Sequence, residues 1–281
     1  ISKNGSEAFA TTQPFTLDTV YPKIDSLNLP YLAFSPNEDG KKDVLKVELE
    51  TSNEDLWQGS IKFNKNEVVQ NLAWQGKATS FDWNGTDEEG NLVKDGTYQF
   101  EISCTDKAGN TSQKAIVSNI IYDAIPRSVN LSIQGSPFSP NNDNVKDTIS
   151  IFPTIPNTDG LVQSKIEILD KSGKVCKKIE LDANKFINNE ISSIDYDGKD
   201  GNGQYLFDGE YQLAFTAIFN NGQEPKMTRN IIVDNLAPRA SLTAESDVLS
   251  PDGDGNKDSI SFVQTATSEK LWNASVVDQY G

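Results

Sequence analysis

The sequence predicts an all-β protein: a row of tandem two-layer sandwiches of immunoglobulin-like type, arranged as an elongated array. Three observations carry this prediction. Apolar residues alternate with a period of two rather than that of a helix. The alternating segments are short and are separated by clusters of Gly, Asn and Asp. The whole pattern then recurs along the chain, and such a repeat sets the architecture before any single element does.

Taken in chain order, Leu45, Val47 and Leu49 alternate with charged residues, and Ile61 with Phe63 marks a second strand. Tyr98, Phe100, Ile102 and Cys104 mark a longer one. The same series returns as Ile149 with Ile151, Ile166 with Ile168, and Tyr211, Leu213, Phe215, Ala217 and Phe219. Ile260 with Phe262 begins it again. No amphipathic helical pattern is sustained anywhere. About seven short strands in roughly 100 residues fit a two-layer sandwich.

Three motifs punctuate the strands. The first is "FSPNEDGKKDVL" from Phe34, with copies "FSPNNDNVKDTI" from Phe138 and "LSPDGDGNKDSI" from Leu249. The second lies between these copies: "FDWNGTDEEGNLVKDGTYQF" from Phe81 and "IDYDGKDGNGQYLFDGEYQL" from Ile194. Asp87 to Gly90 and Asp200 to Gly203 read as tight loops. Asp95-Gly96 and Asp208-Gly209 read as second turns before a Tyr-led strand. Trp83 and Tyr196 are expected in the core. The third motif marks joints: "YDAIPRSVNL" from Tyr122, "VDNLAPRASL" from Val233 and the weaker "LDTVYPKIDSL" from Leu17. Each has an Asp, then a Pro, then a basic residue. Pro fixes φ and biases its predecessor to an extended shape, so these read as short, stiff linkers.

The expected organisation follows. Residues 1–21 read as the C-terminal strand or strands of a preceding repeat. Residues 22–126 and 127–238 are complete sandwich repeats, and 239–281 are the N-terminal part of a further one.

The pattern from Trp83 to Tyr98, repeated from Tyr196 to Tyr211 with Asp197 in place of Asn84, resembles the immunoglobulin-like domain of the flagellar hook-capping protein. The Ser-Pro-Asn segment is similar to one opening the C-terminal modules of gliding-motility-associated and cell-surface proteins. The resemblance covers both full repeats and the start of the third. It implies a β-sandwich, a bacterial envelope, surface or secreted location, and a structural or adhesive role without catalytic residues.

Composition narrows the chemistry. The net charge is −16, from 41 acidic and 25 basic residues. That disfavours nucleic acid, whose phosphates are bound by Lys and Arg, and anionic membrane surfaces. No apolar run is long enough for a membrane span. There is no His, so a Ser-His-Asp triad is impossible and the commonest general base is absent. The only two cysteines, Cys104 and Cys176, fall in different repeats and read as unpaired thiols. The acidic pair Asp195 and Asp197 reads as turn bonding rather than glycosidase chemistry. Trp57 and Trp272 occupy matching positions and suit either a core or an exposed contact.

One ligand question stays open. Asn37, Asp39 and Asp43, with Asn141, Asp143 and Asp147 and with Asp252, Asp254 and Asp258, place oxygens at alternate positions of a turn. Calcium is the candidate ligand, since it takes six to eight oxygens. The spacing departs from a calcium loop: the first position is Ser, and Lys46, Ser150 and Ser261 stand where a bidentate Glu is wanted. Asn and Asp also build turns with no ion by bonding their own backbone. The expected function is a non-enzymatic spacer or stalk whose partners are neighbouring repeats. An adhesin or carbohydrate-binding role, with an extracellular protein or glycan as partner, is the alternative, and a hook-cap-type assembly scaffold is the second alternative.

Overall fold

The computed structural model describes residues 3–278 and 280. Its first unit holds eight strands: β1 (Ile24–Asn28), β2 (Ala33–Phe34), β3 (Leu45–Thr51), β4 (Glu54–Phe63), β5 (Glu67–Gly76), β6 (Thr79–Trp83), β7 (Gly96–Cys104) and β8 (Ala115–Tyr122). One sheet runs β1-β3-β6 and the other β2-β8-β7-β4-β5. All pairings are antiparallel except β2 with β8.

β3 shows how the sequence sets this layering. Its burial alternates without a break, so Leu45, Val47, Leu49 and Thr51 all point inward. Tyr98, Phe100, Ile102 and Cys104 of β7 join them in one core. A slip of one residue would turn each set to solvent. Burying one such aliphatic or aromatic side chain is worth roughly 1.5–3 kcal/mol, which fixes the register. Phe34, Trp83, Tyr98 and Tyr122 pack ring to ring, with centroids 5.4 Å apart for Phe34–Trp83 and 5.2 Å for Trp83–Tyr98.

The second unit repeats the plan with β9 (Asn130–Gln134), β10 (Ile149–Thr154), β11 (Leu161–Leu169), β12 (Val175–Leu181), α1 (Ala183–Ile187), β13 (Ile194–Tyr196), β14 (Gly209–Phe219) and β15 (Lys226–Val233). Its sheets run β13-β10-β9 and β12-β11-β14-β15. A single parallel bridge, Phe138 with Val233, stands where β2 pairs with β8 in the first unit. The core draws on Val129 to Val233 and is separate from that of the first unit.

The double-turn motif works alike in both units. Trp83 Nε1 donates to the Thr86 carbonyl at 2.9 Å, and Tyr196 Oη donates to the Lys199 carbonyl at 3.1 Å. Tyr98 Oη donates back to the Lys94 carbonyl at 2.6 Å, and Tyr211 Oη to the Phe207 carbonyl at 3.0 Å. This is the tyrosine corner of immunoglobulin-like sandwiches. Gly85 is obligatory for a second reason: at φ 78°, a Cβ there would sit 2.2 Å from the Tyr122 ring.

Three features differ from the sequence expectation. α1 is a helix of five residues, too short to leave a periodic signature. Asp182 caps it by accepting from the Asn184 amide at 2.9 Å, and Phe186 stacks on Phe215 in the core. Residues 3–21 form no strand, because no other segment pairs with them and an unpaired strand leaves its backbone groups to water. In the third repeat only β16 (Ala240–Ala244) and β17 (Phe262–Ala266) pair. Both are exposed throughout, Ile260 falls outside the strand, and 271–278 form none.

Candidate functional site: the Ser-Pro loops and the clasp between units

In both complete units the Ser-Pro loop leads from the segment paired in parallel with the last strand (Phe34 with Tyr122, Phe138 with Val233) into β3 or β10, and the third loop lies between β16 and β17. The three copies share one backbone. The Ser35 amide donates to the Lys42 carbonyl, Ser139 to Lys146 and Ser250 to Lys257, at 3.0, 2.8 and 2.8 Å. Three alternate positions are left-handed in every copy: Glu38, Gly40 and Lys42; Asn142, Asn144 and Lys146; Gly253, Gly255 and Lys257. Such alternation turns successive amide N–H groups toward a common centre, a geometry that receives an anion. The centre is filled by the loop's own last Asp. Asp147 accepts from the Asn142 and Asn144 amides, both at 2.7 Å, and Asp258 from Gly253 and Gly255, both at 2.8 Å. Asp43 accepts from the Gly40 amide at 2.8 Å through one oxygen, while the other is buried and unpartnered.

The remaining oxygens make turns two residues wide. Asn37 accepts from the Asp39 amide and Asp39 from the Lys41 amide; Asn141 and Asp143 do the same for Asp143 and Val145. Asp252 and Asp254 serve Asp254 and Asn256. The Asn256 amide holds the Asp254 carboxyl below its ordinary range. All three loops therefore close on their own hydrogen bonds. Among the described residues, one candidate carboxylate cluster brings its oxygens within 4.8 Å of one another: Asp252, Asp254 and Asp258.

The first loop has a further role that the sequence did not reveal. It packs against the β14–β15 hairpin of the next unit. Gln223, buried in that hairpin, donates to Ser35 Oγ at 3.1 Å and to the Ile125 carbonyl at 3.0 Å. Its Oε1 accepts from the Arg127 amide at 2.8 Å. Asn221 donates to the Asp123 carbonyl at 3.2 Å. Lys42 Nζ donates to the Asn220 carbonyl at 2.7 Å, and Lys41 pairs with Glu224. At Gly222, with φ 98°, a Cβ would lie 2.4 Å from the Lys41 carbonyl oxygen. Arg127, the basic residue of the linker motif, pairs with Asp123 and lies over the Phe219 ring at 5.5 Å.

The contact has a partial echo at the other end of the first unit. In the β7–β8 hairpin, Asn110 donates to the Asp18 carbonyl of the preceding linker at 3.3 Å, as Asn221 does to Asp123. Sequence reading singled out the Pro and the basic residue of these linkers. It missed Gln223, Asn221, Lys41 and Lys42. The one available signal was the Asn-Gly-Gln-Glu run, "NGQE", from Asn221.

The other candidate groups take structural places. Asp195 accepts from Ser150 Oγ at 2.7 Å, and Asp197 binds Lys199 at 2.7 Å. Cys104 and Cys176 are free, and burial pushes both thiols up. Trp57 is fully buried and donates to the Ser52 carbonyl at 3.1 Å. Trp272 makes the matching bond to the Thr267 carbonyl but is exposed, since the rest of its sandwich face is not covered.

Residues 34–108 match the family of the FlgD Ig-like domain. The FlgD-type match starts at the first Ser-Pro loop and runs through β7 into the hairpin that follows. The chain is 31% identical over 127 residues to the C5a peptidase of Streptococcus pyogenes serotype M3, covering 39% of this chain. It spans about a tenth of that relative's length, 11%. Among solved structures, the fibronectin(III)-like modules of CbhA from Clostridium thermocellum are similar at 10% identity and a TM-score of 0.38, covering 75% of this chain and 93% of theirs. A tetra-tandem repeat from the extending region of a large adhesion protein is similar at 18% identity and a TM-score of 0.27, covering 80% of this chain and 52% of that one. The two-sheet cores and the FlgD-type match agree on Ig-like sandwich domains.

Proposed function

We propose that the chain is a non-catalytic spacer segment of a bacterial surface or secreted protein. In this reading 22–126 and 127–238 are the load-carrying units, and partners are neighbouring repeats. The observation that carries it is the clasp. A stiff Pro linker alone sets spacing, but the buried Gln223 network also sets orientation. It ties Ser35, Ile125 and Arg127 to one side chain. Removing one partner from a buried network of this kind costs roughly 1–3 kcal/mol, so two angles of approach are not equivalent. Small-angle scattering on the whole chain tests the reading: an elongated particle is expected, and a compact globule would contradict it.

Adhesion is the second reading, favoured by the loop that presents Phe207 (88% exposed) beside Tyr205. An aromatic pair standing in solvent suits a protein or glycan contact. A Phe207→Ser variant that retains all glycan-array and matrix binding shown by the parent chain would remove it. For the Ser-Pro loops, we propose calcium at the third, where Asp252, Asp254 and Asp258 converge. The first two loops act as turns.

A further inference from the structure

Lys is an expensive residue at a left-handed position. The side chain crowds the backbone there, at a cost of about 1 kcal/mol or more that Gly does not pay. Yet Lys42, Lys146 and Lys257 all sit at φ between 53° and 58° in the same place of their loops. The recurrence of Lys at this one strained place in all three loops points to a task for its side chain. At Lys42 the task is visible: its ammonium reaches across to the Asn220 carbonyl of the next unit. At Lys146 nothing in the described residues occupies that place, and the ammonium is exposed.

The second loop matches the first at its anchoring groups, with Val145 in place of Lys41 and with Ser139 Oγ donating to Asn235 Oδ1 at 3.5 Å. Phe138 and Ser139 stand for Phe34 and Ser35. The Asp234 amide bonds the Phe138 carbonyl at 2.9 Å, as the Asp123 amide bonds that of Phe34 at 3.2 Å. Leu236 and Arg239 of the linker stand for Ile125 and Arg127. The difference is cover. Ser35 and Arg127 are buried under the hairpin, whereas Ser139 is half-buried and Leu236 and Arg239 are exposed. The interface at the first joint is heterologous: a loop of one unit takes a hairpin of the next. Such contacts repeat without closing.

We propose that the loop Phe138–Asp147, with the linker Asp234–Arg239, is a docking surface for the β14–β15-type hairpin of another immunoglobulin-like unit. Lys146 donates to a carbonyl at the hairpin tip. The Ser139 hydroxyl and the Leu236 carbonyl receive a buried amide side chain equivalent to Gln223. The occupant is a tight Gly-containing hairpin, because a Cβ at the Gly222 position would meet the loop backbone. The inference rests on the clasp of the first joint.

The test is disulfide capture at equilibrium, in the whole chain with Cys104→Ala and Cys176→Ala. The probe is a backbone-cyclised peptide of residues 217–226 carrying Asn220→Cys. Lys146→Cys presents the proposed surface. Lys65→Cys is the control, an exposed Lys that is also left-handed. Docking raises the effective thiol concentration, so capture at position 146 should exceed that at 65 by about tenfold or more. It should fall to the control level when the peptide carries Gln223→Ala. Equal capture at 146 and 65 overturns the proposal. The first joint is read separately, by the distance distribution between spin labels at Lys94→Cys and Lys171→Cys in the intact chain. If that distribution is narrow while capture at 146 equals the control, the docking surface fails and the spacer reading stands. If it is broad and capture at 146 equals the control, both fail.

Discussion

At Gln223 one side chain satisfies groups from two units and the linker between them. Replacing it with Ala leaves the Ser35 hydroxyl, the Ile125 carbonyl and the Arg127 amide without that partner in a buried place. We predict that Gln223→Ala loosens the joint by roughly 1–3 kcal/mol while both sandwiches stay folded. Protease nicking near Ile125 should quicken, and unchanged cleavage would count against the role. Gly222→Ala should do the same through sterics, with a Cβ at 2.4 Å from the Lys41 oxygen and φ at 98°. By contrast, Lys41 and Glu224 are half-exposed. Lys41→Ala should change joint stability by less than about 1 kcal/mol, and less still in high salt. None of these roles was legible in the sequence. They are polar contacts between residues about a hundred or more positions apart, and no local pattern announces them. Trp83 and Tyr196 were legible, because a large apolar side chain in a strand pattern has few places to go but inward; Trp57, which suited either a core or a contact, is in the core.

At the scale of the element, β3, β4, β7, β10, β11 and β14 were readable because each turns an alternating apolar face to a core. The helix Ala183–Ile187 was not, since one turn and a half carries no period. The outer face of the first unit's larger sheet holds a charged exception. Glu101 on β7 binds Lys62 at 2.7 Å and Lys114 at 2.6 Å, beside Gln99. Burial pushes its carboxyl up, but hydrogen bonds from Lys114 and Lys62 and their charges outweigh this, so the net shift is downward. A depressed carboxyl stabilises the fold above the ordinary Glu range and loses that contribution as pH falls through its own lower value. The first unit should therefore weaken on acidification below about pH 4.5, and Glu101→Gln should blunt that part of the acid profile. An unchanged acid midpoint in the variant would contradict the assignment. The loops were legible as turns. That their centre is lined by amide N–H groups and filled by a carboxylate was not, because it depends on three left-handed residues. Calcium in excess over chelator should raise the melting temperature only through the third loop. Asp258→Asn should abolish the rise, and a rise that survives it would move the site elsewhere.

For the whole molecule, the structure has two separate cores with matching strand order. What the repeat could not give is how the units are held. A Pro linker without the clasp would leave a range of angles; with the clasp, one arrangement is favoured. The exposed β16–β17 pair should be the least protected part of the chain in hydrogen exchange, since neither strand buries a side chain. The central claim is the fixed joint. It is tested most directly by the distance distribution between spin labels at Lys94→Cys and Lys171→Cys, one in each unit, with Cys104 and Cys176 replaced by Ala. The clasp predicts one narrow distance in the parent chain that broadens with Gln223→Ala. A broad distribution in the parent chain, unchanged by that substitution, would contradict it.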